Sequence, residues 1–186
     1  MERFVSLRRQ QFRQYFQPSR LLLCVVPAPT ASGLNVITLC FTMHCSYRPP
    51  MLAIAIHNIN ASYELIQKTD EYVLAVPGVS LVREALYCGT VSMREADKVR
   101  ELNLQLLDSR EVKTPGLRKA LANIEMVKED SIRVGDHLLV VGRALDFRVN
   151  EKRPELPLLS VGPDLTGYEV LARKGIHRIG TVKSDR

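Results

Sequence analysis

From Leu21 onward the apolar residues of this chain come in short runs, most of them closed by proline, glycine or asparagine, and that punctuation is the pattern of strands and turns. Residues 21–26, Leu-Leu-Leu-Cys-Val-Val, are the first predicted strand. Residues 35–45 alternate, with Ile37, Leu39, Phe41 and Met43 on one side and Thr38, Cys40, Thr42 and His44 on the other. Such alternation predicts a strand with one face in a core and the other face moderately polar. Pro49-Pro50 breaks the chain, and the fully apolar residues 51–56 predict a buried strand. A short helix is predicted over 62–69 and a strand over 72–76, ended by Pro77-Gly78. Ser92 with Glu95 three residues on has the form of a capping box, which predicts a helix starting there and carrying Asp97, Lys98 and Val99. The last predicted strands, 124–128 and 137–145, are parted by the turn Gly135-Asp136, and 150–163, rich in proline and charge, reads as a loop. Many short strands with few short helices imply a mainly β fold, a closed or partly closed antiparallel barrel rather than a doubly wound sheet. The absence of Gly-x-Gly-x-x-Gly opening a helix removes the Rossmann alternative.

At 186 residues, 46% hydrophobic and 25% charged, the chain has the length and composition of one globular domain with a sizeable core. We assign that domain to residues 18–186. Residues 1–17 are expected to be a basic arm or a loosely amphipathic helix. The first 20 residues hold Arg3, Arg8, Arg9, Arg13 and Arg20 against Glu2, which places +4 of the net +6 charge there and leaves the body nearly neutral. A nucleic-acid binder would spread its cations over a folded face, so polyanion binding is a minor reading. Cys24, Cys40, Cys45 and Cys88 form no CxxC pair and sit among apolar residues, as small hydrophobes do in a reducing compartment. The basic start followed by residues 21–26 resembles a secretory leader only superficially, because the apolar run is too short and flanked by prolines. No run approaches the roughly 20 residues of a membrane span. The expectation is a soluble, cytoplasmic protein.

Sequence patterns of hydrolases, zinc proteases and nucleotide-binding P-loops are absent, and His44, His57, His137 and His177 share no metal-ligand spacing. What remains between Asn35 and Lys98 is a set of small and polar positions suited to holding a cofactor that brings its own reactivity.

Three blocks give that set a family likeness. The first runs Asn35-Val36-Ile37-Thr38-Leu39-Cys40-Phe41, then Ser46, Pro49-Pro50, the apolar residues 51–56, and Ala61-Ser62-Tyr63-Glu64-Leu65-Ile66. The second, Gly89 to Lys98, is similar to Gly-x-x-Ser-Gly-Arg-x-x-Asp-Lys; the third is Gly135-Asp136-His137 followed by Val140-Val141-Gly142. In this order and spacing they resemble the flavin reductase-like, FMN-binding split-barrel family over about residues 18–145.

The resemblance implies a Greek-key split barrel that forms a homodimer with one FMN per subunit near the interface. It also implies an oxidoreductase passing a hydride from NAD(P)H through FMN, with an electron-acceptor protein or a monooxygenase as partner. An FMN electron carrier without NAD(P)H activity is the alternative. Asn35 and Phe41 match positions that touch the cofactor, with Thr38, Leu39 and Cys40 contributing backbone. Asn60, Ala61 and Ser62 open the predicted helix and suit an anionic phosphate. Lys98 matches a lysine that reaches the cofactor, and His137 a histidine that positions flavin or nicotinamide; Tyr168 is placed at the ring edge. Phe41, Met93 and Val99 depart from the family pattern, which more often has Trp, Gly and an aromatic there. Met93 bears most on the site, because glycine permits close backbone approach and positive φ.

Overall fold

Residues 21–26 contain no polar side chain, and the computed structural model shows why such a strand is possible in this fold. The structure describes residues 19–151, 156–160, 169–173 and 176–180, the last two stretches as backbone only. Strand β2 (Leu22–Pro27), preceded by β1 (Ser19–Arg20), pairs antiparallel with β3 (Leu34–Leu39) on one side and β6 (Glu71–Val76) on the other. Both of its faces are covered. Leu22, Cys24 and Val26 join Ile37, Leu39, Ile54, Ile56, Leu74, Met126 and Val140 in the barrel interior. Leu21, Leu23 and Val25 join Val36, Val73, Ala75, Leu81, Ala85 and Cys88 in a second core outside the sheet. Each large apolar side chain taken from water in this way contributes roughly 1.5–3 kcal/mol.

Helix α2 (Val82–Thr90), which the sequence pattern did not announce, makes that second core, and it corrects the reading of residues 35–45. Neither face of β3 is left to solvent: Asn35 and Val36 are both buried, and Thr38 turns its hydroxyl to donate to the Ala85 carbonyl of α2 at 2.5 Å. The alternating stretch is also two strands, because β3 ends at Leu39 and β4 (Thr42–Tyr47) begins after two residues. β4 pairs with β5 (Pro50–His57), at the opposite edge of the sheet from β3. The seven strands run β3-β2-β6-β9-β10-β5-β4, where β9 is Ala122–Val134 and β10 is His137–Val149. Since β3 and β4 occupy the two ends of this order and are joined by two residues, the sheet closes on itself. The Ala55 N–H donating to Phe41 O at 2.9 Å spans the junction. The expected mainly β barrel with short helices is therefore the observed one.

Other elements refine the sequence reading. Helix α1 (Ser62–Lys68) and the strand over 51–56 fall where predicted. The helix expected from Ser92 does not start there. Ser92 and Glu95 form a single turn, with Glu95 N–H on Ser92 O at 3.0 Å, and α3 (Lys98–Glu101) begins later behind Asp97. Asp97 is the better-anchored cap: it accepts from the Arg100 N–H and also from the Ser32 N–H and hydroxyl, which ties α3 to the turn between β2 and β3. The last two strands are longer than apolar pattern alone shows, 13 residues each. They form a hairpin around Gly135, whose φ of +59° suits glycine, and their outer ends carry polar residues that hide the alternation. Part of 150–163 is structured: Leu158 is fully buried, and β11 (Leu159–Ser160) pairs with β1. The short pair β7 (Leu106–Leu107) and β8 (Gly116–Leu117) brackets a loop pinned by two carboxylates. Glu125, fully buried, accepts from the N–H groups of Arg110, Glu111 and Val112 and pairs with Arg148 at 2.9 Å. Glu71 accepts from the N–H groups of Lys113 and Thr114. Residues 1–17 and Tyr168 lie outside the described residues.

Candidate functional site

The rim of the barrel is built where β3 passes into β4, where β5 leads into α1, and at the β9–β10 turn. Antiparallel pairing sets His57, the last residue of β5, opposite His137, the first of β10. Their rings meet edge to face with centroids 4.8 Å apart. Asp136, in the turn just before His137, lies between them: Oδ1 is 2.5 Å from His137 Nδ1 and Oδ2 is 3.5 Å from His57 Nε2. The bond from His137 holds the Asp136 carboxyl below the usual carboxylate range, against a smaller opposing effect of burial. An ionised carboxylate only accepts, so His137 Nδ1 carries the hydrogen. On His57, Nδ1 accepts from the Ile59 N–H at 3.2 Å, which leaves Nε2 to face Asp136 as donor. Phe41 lies over the His137 ring at 5.2 Å and 29° and is 47% exposed, so an aromatic face remains open beside the histidine.

The entrance to α1 forms a second group. Asn60 donates its N–H to His57 O and accepts from the Tyr63 N–H, which turns the chain from β5 into the helix. Ala61 caps α1 with helical dihedrals and no side-chain acceptor. Ser62 is buried, and its hydroxyl accepts from Asn35 Nδ2 at 2.8 Å. Asn35 Oδ1 is buried and has no partner among the described residues. Leaving a buried acceptor unpaired costs about 1–3 kcal/mol. Arg94 reaches Glu64 in the first turn of α1 at 3.8 Å, which brings the turn carrying Met93 next to this entrance. Met93 itself is half-buried, and Asn103 is the one non-glycine residue with positive φ among those described, so glycine's dihedral freedom is not required at position 93.

A third group lies against α2. Thr38 and Cys40 face the helix side of β3, and Leu39 points into the interior. Lys98 is only 3% exposed and donates to Cys88 O of α2 at 3.3 Å. It is therefore no solvated surface charge. Burial lowers its pKa, partly offset by the neighbouring Cys88, and no carboxylate pairs with its ammonium among the described residues. Burial also pushes the Cys88 thiol up to about 12, and Cys24 further, so both behave as apolar side chains.

The structure thus joins Phe41 to His137, Asn35 to Ser62, and Thr38 and Lys98 to α2. Two residues of the rim were missed in the sequence. Asp136 stood next to His137 in the Gly-Asp-His turn, and an acidic neighbour was the signal; His57 becomes visible only through the β5–β10 register. No group of three or more His, Cys, Asp or Glu is arranged for a metal ion among the described residues.

Comparisons with known proteins agree with this architecture. Residues 19–165 match the family model described as a flavin reductase like domain. An uncharacterised protein of Archaeoglobus fulgidus is 33% identical over 135 residues, 71% of this chain and 73% of its own. Among solved structures, an FMN-binding protein from Thermus thermophilus aligns over 100% of this chain and 99% of its own at 18% identity and a TM-score of 0.74. The NADH:FAD oxidoreductase of Streptomyces globisporus C-1027 aligns over 84% and 93% at 15% identity and a TM-score of 0.71. At such identities the structural likeness speaks for the fold.

Proposed function

Because the chain belongs to the flavin reductase-like family, we propose that it is an FMN-binding flavoprotein that takes a hydride from NAD(P)H and hands electrons to an acceptor. When bound, the flavin supplies the redox chemistry, and the protein's part is binding, orientation and exclusion of competing reactions.

The observation that carries the reading is Asn35 Oδ1, a buried acceptor without a donor among the described residues, in the segment that resembles the family's cofactor-wrapping stretch. The ring N–H and ribityl hydroxyls of a flavin are donors of the kind it lacks. Around it the other residues fit the same group. Phe41 offers an open aromatic face, and the backbone of Thr38, Leu39 and Cys40 offers N–H and C=O groups for the polar edge of the ring. Asn60, Ala61 and Ser62 open α1 on the side of the phosphate. Lys98, a buried ammonium with no counter-carboxylate among the described residues, gains from a nearby anion what burial takes from it. His137 positions flavin or nicotinamide at the rim. The remaining exchange is with partners: a second copy of the chain, and an acceptor protein or monooxygenase. Exposed Met43, Ile132 and Val134 share the sheet face of His57 and His137, an apolar surface of the kind a homodimer covers. No helix among the described residues is long and apolar enough to cross a membrane. Cys24 and Cys88 are buried as small hydrophobes, Cys40 is half-buried and Cys45 is exposed, and a reducing, cytoplasmic setting is where such an exposed free thiol persists.

Anaerobic mixing with NADH or NADPH tests the reading. Rapid bleaching of the yellow flavin band is the expected result. A bound flavin whose colour persists with both donors makes the protein an electron carrier instead, and a protein that takes up no flavin overturns the reading.

A further inference from the structure

His57 belongs to none of the sequence blocks that carry the family likeness, yet the β5–β10 register sets it against the turn that carries His137. Asp136 is 62% exposed on a turn, where a carboxylate ordinarily rotates freely in water. Here each of its oxygens faces an imidazole, Oδ1 that of His137 and Oδ2 that of His57. His57 is itself held at Nδ1 by the Ile59 N–H as the chain leaves β5. The donors therefore converge on Asp136: Ile59 N–H donates to His57 Nδ1, His57 turns its Nε2–H toward one carboxylate oxygen, and His137 donates its Nδ1–H to the other. In the neutral His137 ring this leaves Nε2 with a lone pair and no protein partner among the described residues, next to the exposed face of Phe41. A ring nitrogen in that state takes an N–H or O–H donor and has nothing to offer a carboxylate or phosphate.

We propose that His57 is a positioning residue for nicotinamide. Through Asp136 it holds His137 in the Nδ1–H tautomer, so that Nε2 accepts a hydrogen bond from the carboxamide N–H of the dihydronicotinamide at the rim. This rests on the NAD(P)H-dependent reading of the site. His57 touches neither cofactor nor substrate in this arrangement; it acts through the orientation of Asp136.

Two readouts test it in the full chain. Long-range nitrogen–proton NMR of the apoprotein reports which ring nitrogen of each histidine is protonated, independently of any flavin. The wild type should show His137 as the Nδ1–H tautomer and His57 as the Nε2–H tautomer. His57→Ala should shift His137 toward Nε2–H, whereas His57→Gln, whose amide can still donate to Asp136, should preserve the wild-type pattern. In FMN-loaded protein, His57→Ala should raise the NADH concentration needed for half-maximal bleaching about fivefold, as expected for one lost neutral hydrogen bond. The limiting rate and the FMN affinity should change less than about twofold, and His57→Gln should restore the NADH dependence. An unchanged His137 tautomer in His57→Ala overturns the proposal, and so does an altered tautomer with unchanged NADH dependence. If the wild type takes up FMN but is not bleached, the hydride-donor reading fails, and with it the nicotinamide half of this proposal. The tautomer measurement still decides whether His57 sets His137.

Discussion

β3 and β4 are consecutive halves of one alternating stretch, and they have opposite fates. In β3, Asn35, Val36, Ile37 and Leu39 are buried between the barrel interior and the core under α2; in β4, Met43 is 59% and Tyr47 86% exposed. Phe41, between the two, is where the chain leaves the packed half and enters the rim. The difference teaches that the same local pattern serves as frame or as surface according to what the topology lays over it. Here α2 covers one half, and β4 borders the open sheet face that also carries the paired histidines.

The sharpest break in the packed half should come from Glu125→Ala. This removes the acceptor for three backbone N–H groups and leaves Arg148 without its buried partner, a loss of about 3–5 kcal/mol in urea or thermal unfolding. Ile37→Ala in β3 should cost about 2–5 kcal/mol by the same measurement, since it opens a cavity in the interior. Lys98→Met should spare the fold but weaken FMN about tenfold or more, while riboflavin, which lacks the phosphate, loses far less; fluorescence titration with both flavins checks the difference.

Asp136→Asn should alter the acid limb of stability. The wild-type carboxyl is held below its unfolded value, so its contribution is present above the ordinary carboxylate range and fades as pH falls through the folded-state pKa. The variant should unfold with a flatter dependence on pH over that window, because it loses the ionised carboxyl that His137 chiefly, and His57 to a lesser degree, stabilise. Tyr47→Ala, in β4, should change stability by less than about 0.5 kcal/mol. A cost near that of Ile37→Ala would erase the contrast between the two strands.

The strands and the barrel were legible because short apolar runs with turn residues leave few alternatives. The helices were less so. α2 has Arg83 and Glu84 in its first turn and ends on Gly89-Thr90, so its apolar face of Ala85 and Cys88 is too sparse to stand out until β3 lies against it. The capping box at Ser92 formed its local bonds but lost the helix to Asp97, which has a tertiary anchor in Ser32 that no local pattern shows. Motif order proposes Asn35, Phe41, Ser62, Lys98 and His137 as candidates but does not show how the fold groups them. Lys98 reads as a surface charge in one dimension and is buried in three. His57 gained its role only when β5 was paired with β10.

We propose that the frame made by β3 and α1 holds FMN at this rim. Titrating the apoprotein with FMN tests it most directly, with flavin fluorescence and the visible band followed together. Saturable binding of one FMN per chain is expected, with a shifted ring absorbance and a yellow protein at the end point. A titration that shows no saturation and leaves the protein colourless after gel filtration would contradict it.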